Sequence, residues 1–254
     1  MNDSAMEVIG GLVPEFGARF AKLEGECPEH GRGKALTRVG AAWTCPLCLE
    51  AEMKADTHRI WLAKRTADLL ACATIPGKYI DARFTATTPA QRTVLRTIQL
   101  YRDFILREAS WAALIMVGTT GTGKTLAACQ LAQSLMAKAS RSTRYITAAG
   151  MVSEIQASYG REGKSEEGEI MRFAQYDVLI LDEVDAIRST ENANLLLTEI
   201  INRRYNENKP VIIISNQPFG HLAKYVGERV HSRLHENAFS CDFSWADFRK
   251  GVAA

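Results

Sequence analysis

Eight residues constrain this chain more than any others: Gly118-Thr119-Thr120-Gly121-Thr122-Gly123-Lys124-Thr125. They follow an apolar run from Ala112 to Val117 and open a helical stretch near Lys124. Strand, glycine-rich turn and helix, in that order, is the context in which G-x4-G-K-T forms a phosphate-binding loop. The glycines let successive backbone N–H groups converge on anionic oxygens. The helix adds the positive end of its dipole. Lys124 is then expected at β- and γ-phosphates and Thr125 at a magnesium ion.

Two further apolar runs, Val178–Leu181 and Val211–Ile214, and a shorter one, Tyr145–Thr147, alternate with helical patterns. Continuous apolar runs of this kind predict parallel strands covered on both faces, hence an α/β domain. The run at Val178 ends in Leu181-Asp182-Glu183. An acid at such a strand tip binds magnesium, commonly through water, which assigns Asp182 to the metal and Glu183 to the attacking water as general base. Asp185 reads as exposed. The run at Val211 ends in Ser215-Asn216, where an amide is placed to orient water or sense a terminal phosphate, although Asn is also a common turn former.

A second constellation lies upstream. Cys27 and His30 are separated by two residues, as are Cys45 and Cys48, with 14 residues between the pairs. Two residues is the span of a tight knuckle in which both side chains face one ion. Three thiolates and one imidazole complete a closed tetrahedral zinc site, structural rather than catalytic. The polar, glycine-containing stretch between the pairs reads as a loop that needs a metal cross-link to fold. Cys72, Cys129 and Cys241 are isolated and read as small core residues.

From Leu49 the pattern is helical, with Leu49, Met53, Ile60, Ala63, Ala67 and Leu70 on one face, until Thr74-Ile75-Pro76-Gly77 breaks it. A second helix is predicted from Pro89 to about Ala109, capped by Thr88. The 254 residues leave room for one α/β domain and a small appendage. The formal charge of +2 gives no bulk basicity of the nucleic-acid-binding kind. The six cysteines fit a reducing, cytoplasmic compartment. The first residues carry no secretory pattern, and no membrane span is expected.

In this order the motifs resemble those of AAA+ ATPases. The stretches "AAGMVSEIQASYGREGKSEEGEIMRFAQYDVLILDE", "EIINRRYNENKPVIIISN" and "VGERVHSRLHENAFSCDFSWADFR" narrow the resemblance to DnaC-type replicative helicase loaders and the related IstB-type transposition helpers. The cluster "CPEHG…WTCPLC" is similar to the N-terminal pattern of phage- or prophage-encoded relatives. By matching position the resemblance implies that Arg233 is the arginine finger, with Arg229 as the alternative, and that Arg249 is the second sensor. It implies that residues 151–173 form a helical element facing single-stranded DNA, with Tyr159, Arg161 and Lys164 as contacts. Against this, Glu162, Glu166, Glu167 and Glu169 crowd the same stretch. Thr120 stands where many relatives carry Pro. The five residues after Arg249 leave no room for a full helical lid.

The expectation is a zinc-binding and helical partner-docking module over residues 1–75, and an AAA+ P-loop ATPase domain over residues 76–254 with a parallel sheet flanked by helices. Its cofactors would be ATP, Mg²⁺ and Zn²⁺. Its partners would be a DnaB-type helicase, single-stranded DNA and further copies of itself, with hydrolysis of ATP resetting a helicase loader. The alternatives are an IstB-type helper acting with a transposase on duplex DNA, and a nucleotide-dependent adaptor with negligible turnover.

Overall fold

A computed structural model describes residues 20–38, 40–108, 110–186 and 191–247. The chain divides into two compact units, residues 1–62 and 63–254. The expectations for the first residues and for Arg249 lie outside the described residues.

In the first unit, β1 (Phe20–Cys27) and β2 (Gly31–Arg38) form an antiparallel hairpin. The stretch read as a loop is therefore a strand, and the turn between Cys27 and Gly31 is the hairpin's own. One face carries the charge pairs Glu24–Lys34, at 2.8 Å, and Glu26–Arg32, at 3.8 Å. The other presents the cross-strand glycines Gly25 and Gly33. The indole of Trp43 lies on that bare patch: a Cβ at Gly25 would meet its ring at 2.2 Å. Helix α1 (Pro46–Cys72) follows; from Ala63 on it belongs to the second unit, and Cys72 at its end is exposed rather than in the core. Of its expected apolar face, Leu49, Met53 and Ile60 are exposed, as is Trp61.

The second unit is built on a five-stranded parallel sheet in the order β4-β5-β6-β3-β7, formed by β3 (Ala113–Gly118), β4 (Thr143–Thr147), β5 (Val178–Asp182), β6 (Val211–Ser215) and β7 (Ala238–Phe243). Helix α2 (Pro89–Arg107) starts in a capping box, with Gln91 N–H donating to Thr88 Oγ1 and Thr88 N–H donating to Gln91 Oε1. Helix α3 (Lys124–Ala139) follows β3. Helices α4 (Ala148–Gln156), α5 (Glu166–Gln175) and α6 (Glu191–Asn206) complete the middle of the chain. Two short helices, α7 (Ala223–Val226) and α8 (Glu228–His235), precede β7.

The sheet separates two apolar layers. Alternate residues of β3, Ile115 and Val117 on one side and Leu114 and Met116 on the other, enter different clusters. That double burial is why the strands read as unbroken apolar runs. Strand β3 runs between β6 and β7, while the chain leaves it for β4 at the far edge. Ligands of open parallel sheets bind at the carboxyl ends beside such a switch in strand order.

One cation deep in this unit has no sequence signature. Arg204 is fully buried, and its guanidinium donates to the carbonyls of Phe173, Ala174, Tyr176, Asp177 and Pro210 at 2.6–3.3 Å. Three of these belong to the end of α5 or the residue after it, where a positive charge also meets the negative end of the helix dipole. Burial pulls its pKa down to about 10, so it remains charged at neutral pH.

Candidate functional site

The loop from Gly118 to Thr125 crosses the carboxyl ends of the strands. Gly118 has φ +134, and a Cβ there would meet the Phe243 carbonyl oxygen at 2.4 Å, so a side chain would push β7 away. Gly121 has φ +79, and a Cβ there would collide with the Asp247 carboxylate. Trp245 Nε1 donates to the Thr122 carbonyl at 3.0 Å, and Thr122 Oγ1 donates to that of Thr119 at 2.8 Å. The segment after β7 therefore braces the loop.

Lys124, 6% exposed, points its Nζ at the carbonyls of Gly118 and Thr119, both at 2.7 Å, and at Asn216 Oδ1 at 3.1 Å. Thr125 Oγ1 donates to Asp182 Oδ2 at 2.8 Å. The same oxygen accepts from the phenol of Tyr145 at 2.9 Å, a residue sequence reasoning did not single out. Burial, with Asp182 beside it, pushes the Tyr145 phenol well above its ordinary pKa and keeps it a donor. Glu183 is exposed at the mouth of the site with φ +54, a conformation non-glycine residues seldom adopt and which clusters at functional positions.

Asp185 is half-buried rather than exposed. Its carboxylate accepts from the backbone N–H of Asn216 at 2.9 Å and from Asn216 Nδ2 at 3.4 Å. The structure thus brings Lys124, Thr125, Asp182, Glu183 and Asn216 to one cleft of about 720 Å³, which Thr120, Gly121 and Gly123 also line.

The cleft's other wall comes from residues 78–87, including Lys78, Tyr79, Arg83 and Phe84. Two glutamines of α3 hold this strap: Gln133 Nε2 donates to the Tyr79 carbonyl at 2.9 Å, and Gln130 Oε1 accepts from the Phe84 N–H at 2.9 Å. Nothing in its residue spacing marks it as part of a site.

Arg233 is half-buried; its guanidinium donates to Asn202 Oδ1 and lies 4.9 Å over the Tyr205 ring. Arg229 is exposed. Tyr159 is exposed and donates to Glu166, while Lys164 lies 3.8 Å from Glu169. Arg161 is exposed.

In the first unit the four expected ligands converge. His30 Nδ1 lies 3.6 Å from Cys27 Sγ, 3.7 Å from Cys45 Sγ and 3.4 Å from Cys48 Sγ, and Cys27 Sγ lies 3.6 Å from Cys48 Sγ. All four donor atoms are within 4.8 Å of one another. A regular tetrahedron with zinc–sulfur bonds of about 2.3 Å and a zinc–nitrogen bond of about 2.0 Å has S···S edges of about 3.8 Å and S···N edges of about 3.5 Å. The donor set fits zinc in both chemistry and spacing. The backbone N–H of Glu29 leads the donors that pull the Cys27 thiol down to about 6. Its hydrogen bond with Cys27 and desolvation push Cys48 up to about 12. A dication bound by the four residues would let all three sulfurs stay deprotonated.

For the second unit, the hard oxygens of Thr125 and Asp182 suit magnesium. Sheet order, loop, acidic strand tip and amide together define an ATP-binding module of the AAA+ ATPase class. Residues 33–233 match the family described as IstB-like ATP binding protein, and the chain belongs to that family.

It is 27% identical over 142 residues to the replicative helicase loader DnaC of Escherichia coli strain K12, covering 56% of this chain and 58% of that one. It is 31% identical over 147 residues to a protein of insertion sequence IS5376 from Geobacillus stearothermophilus, described as ATP-binding, covering 58% and 55%. The chain thus spans little more than half the length of these relatives. A crystal structure of the DnaC helicase loader superposes with a TM-score of 0.58 at 23% identity, covering 66% of this chain and 99% of that one. AMPPCP-bound DnaA from Aquifex aeolicus gives 0.56 at 19% identity, covering 66% and 51%. At these identities the likeness is one of fold. No helix among the described residues is long and apolar enough to cross a membrane.

Proposed function

We propose that this protein is an ATP-dependent loader that places a replicative DnaB-type helicase on single-stranded DNA in the cytoplasm. The observation that carries the reading is the pairing of a nucleotide site with a separate Cys₃His unit, whose helix α1 exposes Leu49, Met53, Ile60 and Trp61. Several large apolar side chains exposed along one helix suit a protein partner. The relationship to a DnaC loader points to the helicase as that partner.

In this reading ATP lies along the loop, with its phosphates on the backbone N–H groups and Lys124. Lys78, Tyr79, Arg83 and Phe84 border the nucleoside. Bound magnesium would neutralise charge developing on the phosphates, and Thr125 and Asp182 are the side chains that hold it. Glu183 accepts the proton of the attacking water. Asn216, oriented by Asp185, aligns that water. Arg229, exposed on α8, is the guanidinium offered to a neighbouring copy's nucleotide, while Arg233 is engaged within its own subunit. Arg249 keeps its sensor assignment from resemblance alone. Zinc on Cys27, His30, Cys45 and Cys48 stiffens the docking arm, over the proposed residues 1–75.

The test mixes the full chain with the replicative helicase of its host and single strands coated with binding protein. An ATP-modulated complex and helicase transfer to the strand are expected; neither appearing would discard the reading. The kinship to an insertion-sequence protein favours a second reading, a transposition helper. Preference for duplex DNA and stimulation of a transposase would select it.

A further inference from the structure

Tyr145 is a side-chain donor to the magnesium-side acid that the chemistry above leaves unused. Among the described contacts, Asp182 Oδ2 takes the hydroxyls of Thr125 and Tyr145, and Oδ1 takes the backbone N–H of Glu183 at 2.8 Å. A carboxylate so held has one orientation. Tyr145 reaches it from β4, which pairs with β5 so that Thr147 faces Asp182 and Tyr145 faces Ile180.

The other side of Tyr145 is also taken. Strand β4 is the edge of the sheet, and an open edge there would leave its backbone groups unpaired. The Tyr145 N–H donates to the carbonyl of Ala73 at 2.9 Å, and the Tyr145 carbonyl accepts from Thr74 Oγ1 at 2.5 Å. Ala73 is fully buried, and Thr74 holds φ +55, a left-handed conformation that a β-branched residue adopts only under constraint. These are the first two residues after α1. The two-residue clasp at the end of that helix therefore grips the backbone of the residue whose phenol grips Asp182.

We infer that Tyr145 is a positioning residue for Asp182, and that the Ala73–Thr74 clasp makes the hold on magnesium depend on the end of α1. The inference rests on the nucleotide reading above. Removing a group that orients a metal-side ligand commonly weakens metal binding by about 10- to 100-fold. Phenylalanine keeps the ring in place and deletes only the donor.

The experiment follows a fluorescent ATP analogue bound to the full-length protein while Mg²⁺ is titrated, with a parallel titration in chelator. For Tyr145→Phe the Mg²⁺ half-point should rise about tenfold, with metal-free nucleotide affinity unchanged. Thr74→Val should raise it by less, and the double variant should do no more than Tyr145→Phe alone, as coupled positions behave. An unmoved half-point in Tyr145→Phe, while Asp182→Asn shifts it, overturns the inference. A wild-type half-point in Thr74→Val overturns the clasp. If Asp182→Asn itself has no effect, the nucleotide reading fails and takes this inference with it.

Discussion

Asp185 accepts both hydrogens that Asn216 turns toward it, from the backbone N–H at 2.9 Å and from Nδ2 at 3.4 Å. That pairing fixes which way the amide faces and leaves Asn216 Oδ1 directed at Lys124. Asp185→Ala should lower turnover about tenfold, consistent with losing charge-assisted hydrogen bonds, while the affinity for ATP stays near wild type. Steady-state kinetics beside equilibrium nucleotide binding separates the two. A rise in KM with unchanged kcat would contradict a role through Asn216.

Glu183 and Lys124 should separate chemistry from binding. Glu183→Gln keeps the side chain's size and removes the base, so turnover should fall by about 100-fold or more with nucleotide still bound. Lys124→Ala should abolish measurable binding instead. Phosphate release and calorimetric titration on the same preparations decide the assignment, and turnover surviving in Glu183→Gln would refute it.

Cys45→Ser breaks the closed Cys₃His set. Metal analysis of the purified full chain should fall from one zinc per chain to none. Helicase binding should fail while ATP binding by the second unit persists. Retention of zinc in this variant would remove Cys45 from the ligand set.

The two arginines of α8 should part company. Arg229→Ala should fold normally and lose the turnover that assembly stimulates. Mixing it with the Lys124→Ala chain should restore hydrolysis if the guanidinium acts across subunits. Arg233→Ala gives up its contacts with Asn202 and Tyr205 and should lower the melting temperature, at a cost of about 1 kcal/mol. A stable Arg233→Ala protein that alone loses stimulated turnover would reverse the roles.

Much of the second unit could be read from residues because its strands are buried on both faces: Val178–Leu181 and Val211–Ile214 are apolar without interruption. The loop could be read because its glycines and Lys124 admit few other uses. The hairpin is easily passed over, although β1 alternates Ala21, Leu23, Gly25 and Cys27 with Lys22, Glu24 and Glu26. Gly25, Gly31 and Gly33 make the stretch look like a loop, and β2 carries no such period. Strand β7 buries only Cys241 and Phe243, too few for a pattern. Tyr145 and Asp185 were equally hidden, since each matters through a partner tens of residues away. Residues 78–87 join the cleft only because Gln130 and Gln133 hold them there.

Arg204 gathers carbonyls from two stretches of chain far apart in sequence: residues 173–177, which run from the end of α5 to the entry of β5, and Pro210 on the approach to β6. Loosening either one strands a charge in the protein interior and frees the other. Segments joined this way open together rather than fray singly. The acid-bearing strand β5 therefore shares its breathing with α5, and amide exchange along both should slow or quicken in step.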